Sequence, residues 1–394
     1  MSKSLVTFNA GSSTVKIGVF DVAADRPHRL TRAVIDFRHD PLTLSVGEGK
    51  EVRQTKLDAR PGEDLTEVVS ETFAGLARHF DIGEIVAAGH RVVHGGDRFA
   101  GPVRLDAGTI DAIAALTPLA PLHQPQNLRL IRAISDFGPK LVQVASFDTA
   151  FHRTNAEIVR RFAIPREFHD RGVKRYGFHG LSYKYIAGEL ARRTPQAVRG
   201  KVVAAHLGSG ASLCAMEDGA SRDTSMGFST LDGVPMATRC GALDPGVLLH
   251  LFGAGGLALA EVEAILYHRS GLLGVSGISA DSRVLLESKD PRAREAIDLF
   301  TLRIAGEVAR LTATLGGLDT LVFTAGIGEN QPSVRAGVCT RLDWLGVELD
   351  AAANERNAAV VSSKASRVAV LVIPTDEEQV IAEEAFSVVK AKAA

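Results

Sequence analysis

Asn9, Gly11, Ser12, Ser13, Thr14 and Lys16 stand together in a short turn between two apolar runs. Small residues let backbone N–H groups approach an anion, hydroxyls add donors and Lys16 adds positive charge, so the turn is built to hold phosphate. Arg91, in GHRVVHGG (Gly89 to Gly96), and Arg239, in TRCG (Thr238 to Gly241), are flanked by apolar or small residues. A cation so placed needs an anionic partner, from the protein or from a substrate. His90 and His94 read most simply as core hydrogen-bonding groups. His123, between Pro121 and Pro125, either caps a loop or faces a ligand. His179, between Phe178 and Gly180, either packs or does chemistry. Asp148 ends an apolar run and could orient a metal or water, or cap a helix. Asp376, Glu377 and Glu378 complement a helix dipole, or one of them holds Mg²⁺ through water. Gly326 to Asn330, GIGEN, follows an apolar run in the manner of a nucleotide turn, although GxG alone is common. No GxxxxGK[ST] is present, so this is not a P-loop protein.

These residues need elements to carry them. Leu5 to Asp21 reads as strand, turn and returning strand, and Val202 to Asp218 repeats the plan: Asn9 laid on His206 puts Gly11 on Gly208 and Ser12 on Ser209. The displacement is half the chain, which predicts two related domains, and two such hairpins facing across a cleft suit a nucleoside triphosphate. Residues 27–51 read as further strands or loop at a sheet edge. A helix is expected from Asp64, as N-cap, through Leu65, Val68, Val69, Phe73, Leu76 and Phe80. Ile85 to Ala88, Leu141 to Phe147, Leu321 to Thr324 and Val368 to Ile373 are expected strands, and strand ends are where α/β proteins place their chemistry. Helical spacing of Ile297, Phe300, Ile304, Val308, Leu311 and Leu315 predicts a long amphipathic helix from about Pro291 to Leu315, its stripe serving a core or a subunit interface. A C-terminal helix follows Glu378.

At 394 residues the chain is long enough for two cores. Lys plus Arg total 45 against 46 Asp plus Glu, so no bulk charge draws nucleic acid or a membrane surface. Cys214, Cys240 and Cys339 lack metal-ligand spacing and fit a reducing compartment. The start lacks a signal peptide's apolar run, and no stretch approaches the roughly 18 apolar residues of a membrane helix. A cytoplasmic enzyme is expected.

With NAGSSTVK, GHRVVHGG, APLHQP, FDTAFH, RYGFHG, HLGSG, TRCG, DSR, GIGEN and PTDEE in this order, the sequence resembles the acetate and propionate kinase family over nearly its whole length. The resemblance implies an α/β fold of two duplicated ribonuclease H-like domains, like actin, sugar kinases and chaperone ATPases, with a nucleotide cleft between them. The expected division is residues 1–147 with 379–394 as one domain and 148–378 as the nucleotide-binding other. It further implies a homodimer, Mg²⁺ (Mn²⁺ as a substitute), and reversible transfer of a phosphoryl group between ATP/ADP and a short carboxylate, acetate first. Propionate or another short acid, and a non-catalytic nucleotide-binding switch, are the alternatives.

By the family's pattern Arg91 and Arg239 clamp the carboxylate and the transferring phosphoryl group, which His179 hydrogen-bonds with His123 as support. Asp148 and Glu377 organise the metal, with Asn9 beside it. Val93, Leu122, Phe178 and Thr230 bound the acyl group. Thr14, Lys16, His206, Leu207, Gly208, Ser209 and Gly210 hold phosphates, and Asp281, Ser282, Arg283, Gly326, Ile327, Gly328, Glu329 and Asn330 hold adenosine. The chemistry agrees: a carboxylate with a pKa of about 4 is already ionised, so the reaction needs charge neutralisation and no general base. The chain departs from the family at Ser209 (usually Asn), Thr230 (Pro), Ala242 (acidic or polar), Gln124 (Asn), Tyr183 (His), Ala325 (Gly) and Asp376 (Asn), and Thr14 keeps the hydroxyl of a usual Ser.

Overall fold

The computed structural model describes residues 3–11, 14–37, 40–47, 51–60, 65–78 and 84–391. Ser12 and Ser13, the expected cap Asp64 and the expected helix residue Phe80 lie outside the described residues. Backbone contacts divide the chain into two units, Met1–Phe151 with Asp376–Ala394, and His152–Thr375. Asp148, Glu377 and Glu378 therefore belong to the first unit, where the sequence reading had put them in the second domain.

The first unit contains strands β1 Lys3–Ala10, β2 Thr14–Asp21, β3 His28–Asp36, β4 Thr43–Val46, β5 Arg53–Lys56, β6 Glu84–Val92, β7 Val103–Arg104 and β8 Val142–Phe147. They form one sheet in the order β5-β4-β3-β2-β1-β6-β8-β7. β1, β2 and β3 are antiparallel neighbours, whereas β1, β6 and β8 run parallel. Residues 27–51 thus supply β3 and β4. Apolar residues on both faces of β1 force both faces to be covered. Val6, Phe8, Ile17 and Ala33 pack with the helices Thr66–Ala77 and Gln124–Phe137, while Leu5, Phe20, Ala87 and Val144 pack with Ala382 and Ala385 of the C-terminal helix Glu377–Ala391.

One glycine sets how closely that last helix lies. A Cβ on Gly89 would meet Ile381 Cγ2 at 2.7 Å and Ala385 Cβ at 3.2 Å, so only glycine lets Glu377–Ala391 sit this low over β6. The helix then brings its first-turn acids to the end of the sheet. Asp376 anchors it: its side chain caps the Gln379 N–H and accepts from both Arg29 and Arg32 of β3.

The second unit contains β9 Lys201–Leu207, β10 Ala211–Glu217, β11 Ala220–Thr224, β12 Thr320–Thr324 and β13 Ala369–Val372, in the order β11-β10-β9-β12-β13. β9, β10 and β11 are antiparallel, and β9, β12 and β13 run parallel. This is the β3-β2-β1-β6-β8 pattern of the first unit again, the duplication that the repeated hairpin predicts. The helix Pro291–Leu315 has the expected bounds and buries Phe300, Ile304, Val308 and Leu311, with Ile297 half-buried. Truncating a buried phenylalanine such as Phe300 to alanine costs about 3–5 kcal/mol. GIGEN, expected as a turn leading to a helix, is itself the short helix Ala325–Asn330, entered through Ala325 at a positive φ of 64°.

Candidate functional site

Each unit gathers functional side chains at the end of its central hairpin. In the first, Asn9 on β1 lies directly opposite Lys16 on β2. Arg91 stands at the carboxyl end of β6, which extends past the expected Ala88 to Val92, and Asp148 follows β8 immediately. Arg91 donates to both carboxylate oxygens of Asp148, from Nε at 3.0 and 3.1 Å and from Nη2 at 2.6 Å, and from Nη1 to Asn9 Oδ1 at 3.2 Å. Asn9 Nδ2 donates in turn to Glu377 at 2.8 Å and Glu378 at 2.7 Å. Asp148 is therefore an ion-pair partner and not a helix cap.

One guanidinium stands against three carboxylates. Burial alone would lower the Arg91 pKa, but Asp148 and Glu377 outweigh it and raise the pKa, so Arg91 stays charged. Burial pushes the Asp148 carboxyl above its usual range, and Arg91 pulls it back. The surplus of negative charge suits a divalent cation. Among the described residues no three His, Cys, Asp or Glu side chains are spaced to cage an ion. Asn9 bridges the acids to Arg91.

In the second unit the tight turn Gly208–Gly210 closes β9 onto β10, with the Gly208 N–H donating to the Gly210 carbonyl at 3.0 Å. His206 lies opposite Ser212. His179 occupies the N-cap position of helix Gly180–Arg193 in the left-handed conformation, φ 55°, uncommon for a residue with a side chain. His152 packs under Gly177 and bonds the Phe178 carbonyl through Nε2 at 2.9 Å, and burial lowers its pKa to about 4, so this ring is neutral.

The His179 ring stacks on His206 at 4.3 Å between centroids, and its Nδ1 lies 2.7 Å from Ser212 Oγ. Its other nitrogen faces the glycine turn. A Cβ on Gly210 would lie 2.8 Å from Arg239 Nη2 and 3.4 Å from His179 Nε2. Arg239 and His179, far apart in sequence, thus converge over a turn kept open by glycine. Arg239 Nη1 also donates to the Thr230 carbonyl at 2.8 Å.

The remaining expected residues are placed as follows. Lys16 is exposed, Thr14 half-buried and Val93 buried in the first unit. Leu122, expected to help form an apolar pocket, is 43% exposed, and His123 takes the N-cap position of Gln124–Phe137 without capping it through its side chain. In the second unit Phe178 and Leu207 are buried and Ser209 is exposed. Asp281 caps the short helix Ser282–Glu287 and pairs with Arg283, and Ser282 Oγ accepts from Gln331. Glu329 accepts from the Thr375 N–H, and Asn330 folds back on the Gly326 carbonyl.

Sequence reasoning missed Arg335, which is fully buried and donates to Asn354, Asn357 and the carbonyls of Gly328 and Glu329. It holds the GIGEN helix by its last carbonyls, and an arginine within a helical stretch carries no signal of that. Ser212 was also missed, although strand alternation across the second hairpin places it opposite His206.

Two copies of one hairpin-centred sheet, one carrying a guanidinium–carboxylate cluster and the other stacked imidazoles beside a guanidinium, define a two-sheet α/β protein with charged groups gathered at strand ends. The model of the Acetokinase family matches residues 4–383. An acetate kinase of Rhodopseudomonas palustris is 46% identical over 393 residues, 98% of each chain. Among solved structures, a propionate kinase from Francisella tularensis matches with a TM-score of 0.90 at 35% identity, over 98% of this chain and 99% of that one. An acetate kinase of Porphyromonas gingivalis matches at 0.87 and 34%, over 98% and 100%. The chain belongs to the Acetokinase family.

Proposed function

We infer that this chain catalyses reversible transfer of the γ-phosphoryl group of ATP to acetate, giving acetyl phosphate and ADP. The observation that carries the reading is the convergence of His179 Nε2 and Arg239 Nη2 over Gly210, which offers two donors to one phosphoryl group. An acetate oxygen forms the new bond to phosphorus as the bond to the ADP oxygen breaks. No proton need move, so the protein's task is to neutralise charge and align the groups.

Arg91, fixed by Asp148 and Asn9, uses its remaining N–H groups to receive a carboxylate or phosphoryl oxygen. Arg239 and His179 stabilise the equatorial oxygens as charge spreads over them, with His123 in support. Mg²⁺, held by Asp148 and by Glu377 through water, would supply further positive charge to the phosphates. Thr14, Lys16 and the turn from His206 to Gly210 are assigned to phosphate, Asp281 to Arg283 and Gly326 to Asn330 to adenosine, and Val93, Leu122, Phe178 and Thr230 to the acyl group. A methyl group more or less is worth only about 1–3 kcal/mol in an apolar pocket, so propionate is the second acceptor. Likeness to the Francisella propionate kinase favours including it.

We also propose a homodimer. The helix Pro245–Phe252 buries none of its residues, and Leu249 and Leu259 are among the most exposed large apolar side chains, a surface that a second copy would cover. Among the described residues no helix is long and apolar enough to cross a membrane, and the reading places the enzyme in the cytoplasm, where ATP is supplied.

The test is hydroxamate trapping with Mg²⁺ across acetate, propionate and butyrate, with ATP and with pyrophosphate as donor. Acyl phosphate from acetate with ATP is expected. ATP binding without transfer to any acid would instead mark a nucleotide-binding switch.

A further inference from the structure

Behind the His179 ring lies a pair of buried hydroxyls that the reaction itself does not need. Tyr183 follows His179 by one helical turn, its N–H bonding the His179 carbonyl at 3.1 Å, so both side chains lie on one face of the helix Gly180–Arg193. Its phenol oxygen is 2.6 Å from Ser212 Oγ, which is 2.7 Å from His179 Nδ1. Tyr183 and Ser212 are both fully buried. On the ring's flat side His206 stacks at 4.3 Å, itself tied through Nδ1 to Ser182 Oγ at 2.8 Å.

We propose that Tyr183 and Ser212 are positioning residues that form a directional relay: the phenol donates to Ser212, Ser212 donates to His179 Nδ1, and the imidazole is thereby held with its proton on Nε2. The proposal rests on the reading of His179 as a donor to the transferring phosphoryl group. A serine hydroxyl has one proton, so once it accepts from Tyr183 it can give that proton to Nδ1. Burial raises the Tyr183 pKa well above its ordinary value and keeps the phenol a donor. The opposite arrangement, with the proton on Nδ1, would aim the bare lone pair of Nε2 at anionic oxygens.

The test uses the full-length protein labelled with ¹⁵N-histidine, the His179 signals being assigned by their loss in His179→Gln. Near about pH 8, Nδ1 is expected to be unprotonated and hydrogen-bonded, and Nε2 protonated. Tyr183→Phe should give a mixture of tautomers and lower kcat roughly five- to tenfold, the worth of one neutral hydrogen bond, with KM for acetate and ATP held within about twofold. Ser212→Ala should do the same or more. In a His179→Ala background, Tyr183→Phe should cost nothing further, because its effect passes through that ring. An Nδ1–H tautomer in the wild type, or additive losses in the double variant, would overturn the relay. Full turnover in His179→Ala would remove the catalytic reading of His179, while the tautomer measurement would still decide the relay.

Discussion

The two central hairpins share strand order and direction but carry opposite chemistry. On the first, Asn9 faces Lys16 and leads into Arg91, Asp148, Glu377 and Glu378. On the second, His206 faces Ser212 and leads into His179, Tyr183 and Ser182, with Arg239 reaching in from a loop. One half is an ionic cluster and the other a chain of hydrogen bonds between imidazoles and hydroxyls with one arginine beside it. Buried ions demand counter-ions and hold strongly only when all are present, whereas neutral donors and acceptors gain their precision from direction. A duplicated backbone thus carries paired ions in one copy and hydrogen-bonded imidazoles and hydroxyls in the other.

The contrast breaks first at the arginines. Arg91→Ala and Arg239→Ala should each lower turnover by on the order of a hundredfold or more. Only Arg91→Ala should also destabilise the fold, by about 3 kcal/mol, because it strands the buried Asp148 carboxylate. Thermal melting beside kcat separates the two, and equal shifts in melting temperature would erase the distinction.

The glycines sharpen it. Gly210→Ala should cost turnover about tenfold or more with little change in stability, since the new methyl meets the far end of the Arg239 side chain. Gly89→Ala should do the reverse, costing about 1–3 kcal/mol as Ile381 and its helix are pushed off the sheet.

Acid probes both halves together. Burial lowers His90 and His152 to about 4 from 6.5. Because unfolding lets these rings protonate near their ordinary pKa, their contribution is complete above pH 6.5 and is lost as pH falls toward 4, by up to ~3 kcal/mol each. Urea unfolding at a series of pH values measures this, and His90→Gln should flatten part of the slope. The smallest effect is expected at exposed Ser209: Ser209→Asn should keep or raise turnover with ATP, within about threefold. A large fall would show the serine to be matched to another donor.

Much of this was legible in residue order. The repeat of Asn9 to Lys16 at His206 foretold the duplicated sheets, because a hairpin's strands and turn are encoded locally. The stripe of Phe300, Ile304 and Val308 set the long helix by period alone. Arg91 and Arg239 stood out as cations in uncharged surroundings. Ser212 and Arg335 were not singled out, because their partners lie on other elements and their own neighbours give no sign of them. Asp148 read as a metal or water orienter or as a helix cap, and only β6 and β8 side by side show it paired with Arg91.

The sequence by itself determined that there are two similar α/β units, each built on a hairpin, and which charged residues lie in apolar surroundings. These follow from periodicity, turn chemistry and the cost of burying charge. Only the tertiary structure decided that Asn9 links Arg91 to Glu377 and Glu378, that Gly89 seats the last helix, and that His179 meets Arg239 on one side and Ser212 on the other. Those are contacts of packing, made by strand register and helix approach, which no local pattern encodes.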